Sequence, residues 1–254
     1  LSIGKIRQYT EAIIELIPHE ARPSGLGGEN QKLGFILETS YPYKVDYSPI
    51  EPDKKKKWPK ELHEAHKHLD QVQENLSLIF PMAIDRSPPI GISSAWTLIF
   101  DPITHGTNIS WSNKPKIPMP HFLIEKNNVD AIIYWSKLID ETDDKKIRIA
   151  IRRILSSIND RINPIDGFVD SIIAWENLFG GMGELSYRIS ISISKLLHTE
   201  PDERLTLQRE IVKFYTDRSK IVHGAKQIGY EEAEIKRNRC LNIAISSLKS
   251  LYEK

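Results

Sequence analysis

The sequence has a single cysteine, Cys240, and no long apolar run. One cysteine excludes an internal disulfide framework, which favours a cytoplasmic protein. No stretch approaches the roughly 18 to 20 apolar residues that a membrane-spanning helix needs. The first residues also lack a charged segment followed by an apolar one, so we expect no signal peptide and no membrane association.

The chain also lacks an excess of charge of either sign. It carries 35 basic and 34 acidic residues, for a formal net charge of +1. Any contact with nucleic acid must therefore rest on a local basic patch. Hydrophobic residues make up 40% of the 254 positions, which is enough for one large domain or two modest ones.

Sequence patterns for metal and nucleotide binding are incomplete. The stretch His63-Glu64-Ala65-His66 misses the H-E-x-x-H zinc pattern, because its second histidine lies three positions after the first. The glycines of residues 25–28 lack the Gly-Lys-Ser/Thr end of a phosphate-binding loop. We therefore expect no metal site and no cofactor.

Proline divides the chain into two regions. Of its 15 prolines, 13 precede residue 121, and helical periodicity is interrupted there. We predict a smaller mixed α/β or irregular region over residues 1–125, with a regulatory or sensing role. Within it we expect a short helix over 2–17, a strand over 33–39, a helix over 60–79 and a few strands between 90 and 119.

The second region, residues 126–254, has the apolar spacing of helices. We predict helices over 146–162, 166–179, 201–223 and 231–253, and about five helices in all, so the fold class is mainly α. Residues 188–195 alternate between apolar and polar types, which is typical of a strand. Because the apolar residues around them also fit helical spacing and helices flank them, we predict a helix there.

Arg218 occupies an unusual position in the predicted helix over 201–223. At 100° per residue it falls in the middle of the apolar sector formed by Leu207, Ile211, Phe214, Tyr215, Ile221 and Val222. A guanidinium directed into a core is costly unless it is satisfied. A salt bridge to an acidic residue on a neighbouring helix is one explanation.

His223 lies in the last turn of the same predicted helix. The carbonyl end of a helix favours a protonated histidine, so this ring could take and give a proton near neutral pH. An exposed C-terminal capping histidine is the alternative. Together, an arginine that binds phosphate and a histidine that moves protons suit metal-free RNA cleavage by the adjacent 2′-hydroxyl.

The stretch from Tyr215 to Gly224, YTDRSKIVHG, resembles the R-x4-6-H motif of the HEPN superfamily, and RSKIVHG resembles its Apea-like branch. Two upstream pieces are similar to that branch in the same order. Residues 170–179 (DSIIAWENLF) resemble a helix ending in E-x-L-F, and residues 184–188 (ELSYR) resemble the E-L-S-x-R start of the next helix. The resemblance covers roughly residues 126–254.

The resemblance implies a bundle of four or five helices that forms a homodimer, with the motif helices of two copies facing each other across a composite active site. It also implies a metal-independent endoribonuclease with RNA as its substrate, in phage defence or a toxin-like abortive-infection system, with or without a regulatory partner protein. Arg218 and His223 would be catalytic. Weaker candidates for RNA contact are Ser219, Lys220, Glu184, Tyr187 and Arg188, and the last three are alternatively candidates for satisfying Arg218.

Two other hypotheses remain open. Some HEPN domains bind RNA, nucleotides or a protein partner without cleavage. Alternatively, Arg218 is a buried ion-pair partner and His223 a helix cap, both with structural roles.

Overall fold

A computed structural model describes residues 5–8, 35–42, 60–92, 96–100, 107–111, 124–142, 147–181 and 183–254. Within these ranges lie seven helices and four short strands. The predicted fold class, mainly α with a smaller N-terminal part that contains strands, is confirmed. The chain divides into two compact units, one of residues 1–76 and 94–114 and the other of residues 77–93 and 115–254.

The first unit contains two antiparallel strand pairs. Strand β1 (Lys5–Gln8) pairs with β2 (Phe35–Glu38), and β3 (Trp96–Phe100) pairs with β4 (Thr107–Trp111). The strands predicted within 33–39 and 90–119 are confirmed. The helix predicted over 2–17 is wrong at β1, because the backbone there pairs with a strand much later in the chain; residues 9–17 lie outside the described residues.

Helix α1 (Lys60–Ala83) confirms the helix predicted over 60–79 and continues past Pro81. Within the first unit, its polar side chains contact the segment that follows β2. Thr39 Oγ1 lies 3.1 Å from His68 Nε2, and the hydroxyl of Tyr41 donates a hydrogen bond of 3.0 Å to Glu64.

The second unit contains six further helices from residue 126 onwards. They are α2 (Lys126–Glu141), α3 (Arg148–Asn159), α4 (Pro164–Phe179), α5 (Leu185–Leu197), α6 (Pro201–Val222) and α7 (Tyr230–Tyr252). The ambiguous residues 188–195 lie in α5, so the predicted helix is confirmed. Helix α2 was not predicted, although its buried residues Ile132, Trp135 and Ile139 have helical spacing.

Helix α4 is the centre of the second unit and packs against α3, α5, α6 and α7. Asn163 caps its N-terminus by accepting a hydrogen bond from the amide of Ile165 at 3.0 Å, and Pro164 occupies the first helical position. Phe168 and Trp175 are fully buried. The ring of Phe214 on α6 lies 6.2 Å from that of Phe168, centroid to centroid.

A buried carboxylate joins α3 to α4. Asp170 accepts hydrogen bonds of 2.8 Å from Arg153 Nη1 and 2.6 Å from Arg161 Nε. The hydrogen bond to Asp170 raises the pKa of the Arg161 guanidinium. Helix α4 is therefore stabilised by apolar burial on one side and by the ion pairs of Asp170 on another. Helix α6 packs against this helix.

Candidate functional site

The site predicted from the sequence lies at the C-terminal end of α6. His223 is the capping residue, and Gly224 follows with a φ of 72°, a conformation that favours glycine. The amides of Ala225 and Lys226 donate to the carbonyl of Lys220 at 2.8 and 3.2 Å. This tight turn leaves the His223 side chain exposed at the end of the helix.

Arg218 lies on the inner side of α6 and is only half-buried. Its Nη2 is 3.6 Å from Glu176 Oε2 on α4, and each side chain is 22% exposed. A partner on a neighbouring helix is therefore present, but the separation exceeds that of a good hydrogen bond. Arg218 Nε is buried and has no hydrogen-bond partner within the described part of the chain, so the guanidinium is incompletely satisfied.

Tyr215, one turn before Arg218, belongs to the same cluster. Burial, and then the adjacent Glu176 carboxylate, raise the pKa of the Tyr215 phenol, while the Arg218 guanidinium acts in the opposite direction. Tyr215, Glu176 and Arg218 thus form one electrostatic group between α4 and α6. Glu176 lies in the upstream piece ENLF, but the sequence did not indicate which residue it would face.

Asp217 turns to a different side of α6 and is buried, with 7% of the residue exposed. It accepts hydrogen bonds from Lys226 Nζ at 2.6 Å and from Lys236 Nζ on α7. Lys236 Nζ also lies 3.0 Å from a Glu232 oxygen. Burial alone would raise the pKa of Asp217, but the two ammonium groups lower it. The ion pairs of this Asp217 cluster (Asp217, Lys226, Lys236 and Glu232) join the turn that carries His223 to α7.

An open cavity of about 630 Å³ lies beside this region, between the start of α5 and the middle of α6. Glu184 and Tyr187 line it together with Tyr215 and Val212. Arg188 is exposed and lies against Gly181, where an added Cβ would approach its guanidinium carbon to 3.1 Å. The structure thus brings Glu184 and Tyr187, two of the weaker candidates, next to the Tyr215 cluster.

The remaining candidates lie on the outward side of α6. Ser219 is half-buried, and Lys220 and His223 are exposed. Arg218 and His223 are five residues apart, or about 140° around the helix, and no hydrogen bond or ion pair joins them in the described residues. One copy of the chain therefore holds the two predicted catalytic side chains on different sides of α6.

The outward side of α6 carries two parallel stripes of residues. One is apolar and exposed and consists of Leu205 and Val212. The other is basic and exposed and consists of Arg209, Lys213 and Lys220. Among residues that the structure describes, these three cations have no ion-pair partner. These residues make a local positive patch on a nearly neutral chain.

Two other kinds of feature are absent from the described ranges. No group of three or more histidine, cysteine, aspartate or glutamate side chains is placed to hold a metal ion there. No helix in the described part of the chain is long and apolar enough to cross a membrane.

Comparisons with known proteins give no relative for this chain: no protein-family model, no curated protein and no solved structure matches it. The resemblance to HEPN proteins therefore depends on the motifs in residues 170–224.

Asp217→Asn tests the cluster that fixes the end of α6. The substitution leaves Lys236, with a side chain 11% exposed, facing a neutral amide, with the half-exposed Glu232 as its remaining acidic partner among the described residues. We expect a loss on the order of 3 kcal/mol of unfolding free energy at pH 7, measured by urea denaturation. Asp202→Asn, in the exposed first turn of α6, is the matched control and should cost less than about 1 kcal/mol.

The loss of unfolding free energy caused by Asp217→Asn should depend on pH. Because the folded-state pKa of Asp217 lies below its ordinary value of 3.8, its stabilisation is complete above that value and is lost as the pH falls through the lower one. The difference between wild type and Asp217→Asn should therefore stay constant from pH 7 to about pH 5 and shrink as the pH falls below about pH 4. A difference that stays constant with pH would contradict this origin.

Proposed function

We propose that this protein is a metal-independent endoribonuclease of the HEPN type that acts as a homodimer. The proposal rests on the motif RSKIVHG and on one structural observation that supports it. Arg218 is incompletely paired and lies in one electrostatic group with Tyr215, which lines an open cavity, while His223 is exposed at the end of the same helix. Glu176 on α4 lies beside Arg218, and the Asp217 cluster joins the turn that carries His223 to α7.

The chemistry needs no group outside these side chains. A histidine removes the proton from a ribose 2′-hydroxyl, the oxygen bonds to the adjacent phosphorus, and the bond from phosphorus to the 5′-oxygen breaks. A protonated histidine gives its proton to that leaving oxygen. Arg218 stabilises the negative charge of the crowded phosphorus intermediate through its planar guanidinium. The products are a 2′,3′-cyclic phosphate and a free 5′-hydroxyl.

A second copy would complete the site, because two histidines can then serve as acid and base in the same turnover. The apolar stripe of α6 supports this arrangement. Leu205 is 44% exposed and Val212, which also lines the cavity, is 38% exposed, and exposed apolar residues on one side of a helix are typical of a surface that another chain covers. The basic stripe beside it would then border the shared cleft and bind RNA phosphates.

The proposed biological setting follows from the resemblance to HEPN proteins. We propose a role in phage defence or in a toxin-like abortive-infection system, with the first region as the regulatory or sensing part and with or without a partner protein. Cytoplasmic location fits a chain with one buried cysteine, Cys240.

Two further hypotheses are each favoured by one observation. The basic stripe alone would suit a module that binds RNA without cutting it. The Arg218–Glu176 contact of 3.6 Å would suit a purely structural role for Arg218.

Cleavage of mixed RNA by the purified protein in excess EDTA tests the enzyme hypothesis. We expect products with 2′,3′-cyclic phosphate ends. His223→Ala should lower the rate at least about 100-fold, the usual size of a general acid–base contribution, without loss of the fold. RNA binding without cleavage by either protein would favour the binding module. Equal cleavage by both would place the active site elsewhere.

A double-mutant cycle with Arg218→Ala and Glu176→Gln tests the structural hypothesis. Because both side chains are 22% exposed and 3.6 Å apart, we expect a coupling energy of unfolding of about 1 kcal/mol or less. Cleavage should nevertheless be abolished by Arg218→Ala. A coupling of about 3 kcal/mol or more would mean that Arg218 serves mainly to hold α4 and α6 together.

A further inference from the structure

We infer that the cavity between the start of α5 and the middle of α6 binds a guanine base of the RNA substrate. This inference depends on the proposed ribonuclease function and adds a base preference to it. It follows from three features of the cavity: its exposed apolar and aromatic lining, the unpaired carboxylate at its edge, and its position on the helix that ends in His223.

The lining consists mainly of large side chains that are exposed to solvent. Leu185 is 37% exposed, Val212 38% and Tyr187 57%. The cavity of about 630 Å³ is lined by Gly183, Glu184, Leu185, Ser186, Tyr187, Val212 and Tyr215. Exposed apolar side chains that converge on one concave surface usually mark a place where a ligand or another chain binds.

Two aromatic rings favour a flat ligand. Tyr187 on α5 and Tyr215 on α6 reach the cavity from different helices. Within the described part of the chain, the Tyr187 side chain has no hydrogen bond and no ring partner. An exposed tyrosine face beside apolar walls suits stacking with a nucleobase. The planar base can pack against either the aromatic ring or an apolar side chain.

Glu184 supplies the selective contact. It is the capping residue before α5, but its side chain makes no capping hydrogen bond to that helix. It is exposed, and among the described residues it has no ion-pair partner. Its two carboxylate oxygens are therefore free to accept two hydrogen bonds at the edge of the cavity.

The carboxylate distinguishes guanine from the other bases. Guanine presents two adjacent N–H donors on its Watson–Crick edge, which match two carboxylate oxygens. Adenine and cytosine place an acceptor nitrogen beside their amino group, and uracil places carbonyl oxygens on both sides of its single N–H. Each would bring a lone pair against the carboxylate, and an unpaired polar contact of this kind lowers affinity strongly.

The cavity and His223 lie close enough for one RNA strand to reach both. Val212, Tyr215 and Ser219 recur at helical spacing, so the cavity opens on the side of α6 that continues towards His223. Tyr215 and His223 are eight residues apart, or about 12 Å along the helix axis. A base in the cavity and a reacting phosphate beside His223 would thus belong to nearby nucleotides.

The test uses the full chain and a set of oligouridine RNAs that carry one guanine, adenine or cytosine at each position in turn. We expect cleavage to be fastest, by roughly tenfold or more, when guanine stands at one fixed distance from the cut. Glu184→Gln should reduce this preference to within about twofold. Tyr187→Leu should slow cleavage of all the RNAs.

The matched controls are Glu231→Gln and Tyr230→Leu at the start of α7, where Tyr230 is 64% exposed. Both should leave the preference unchanged. Guanosine monophosphate and adenosine monophosphate, titrated into wild type and Tyr187→Leu and followed by NMR, give a readout that does not need cleavage. We expect tighter binding of the guanine nucleotide, and weaker binding after Tyr187→Leu.

The outcomes separate the two proposals. Cleavage without a base preference, or a preference that survives Glu184→Gln, overturns the guanine site and leaves the ribonuclease intact. If no RNA is cut, the ribonuclease fails, and the nucleotide titration alone decides the site. A change from dimer to monomer in Tyr187→Leu, measured by light scattering, would show that a second copy covers the cavity and would also overturn the guanine site.

Discussion

The buried carboxylate of Asp217 fixes the end of α6, and the geometry of the candidate site depends on it. A carboxylate with this little exposure is costly unless cations surround it, and Lys226 and Lys236 meet that need. Lys226 follows the turn at Gly224, and Lys236 lies on α7, so one carboxylate joins three segments. Once Asp217 faces α7, helical geometry directs Arg218 towards α4 and leaves His223 outward.

This arrangement gives the C-terminal end of α6 two different environments within six residues, Arg218 to His223. Arg218 lies in the Glu176 cluster, where low exposure strengthens its electrostatic influence. His223 lies in solvent, at the end of a face that carries an apolar and a basic stripe. A single copy thus presents the Arg218 guanidinium and the His223 imidazole in different directions. In the proposed dimer these two side chains can meet, because the α6 of the second copy can bring its own Arg218 and His223 to the same cleft.

Helix positions in the second unit were largely predictable from apolar spacing and end signals, such as Asn163-Pro164 before α4 and Gly224 after α6. The strand at Lys5–Gln8 was not, because its pairing depends on Phe35–Glu38 rather than on its own residues. The angular spacing of residues along the predicted helix over 201–223 indicated that Arg218 would need a partner. It could not name Glu176, because periodicity fixes the direction of a side chain and not which helix lies there. Asp217 and Lys236 were missed for the same reason.

The most direct measurement of the central claim mixes two inactive variants. Arg218→Ala and His223→Ala chains, each purified alone, are combined under conditions that allow exchange, and RNA cleavage in EDTA is followed over time. In the composite site, a mixed dimer retains one arginine and one of the two histidines, so we expect activity that is above that of either variant, below that of wild type, and rising as exchange proceeds. Mixed dimers that form, by mass measurement, but remain as inactive as the parents would contradict a cleft shared between two copies.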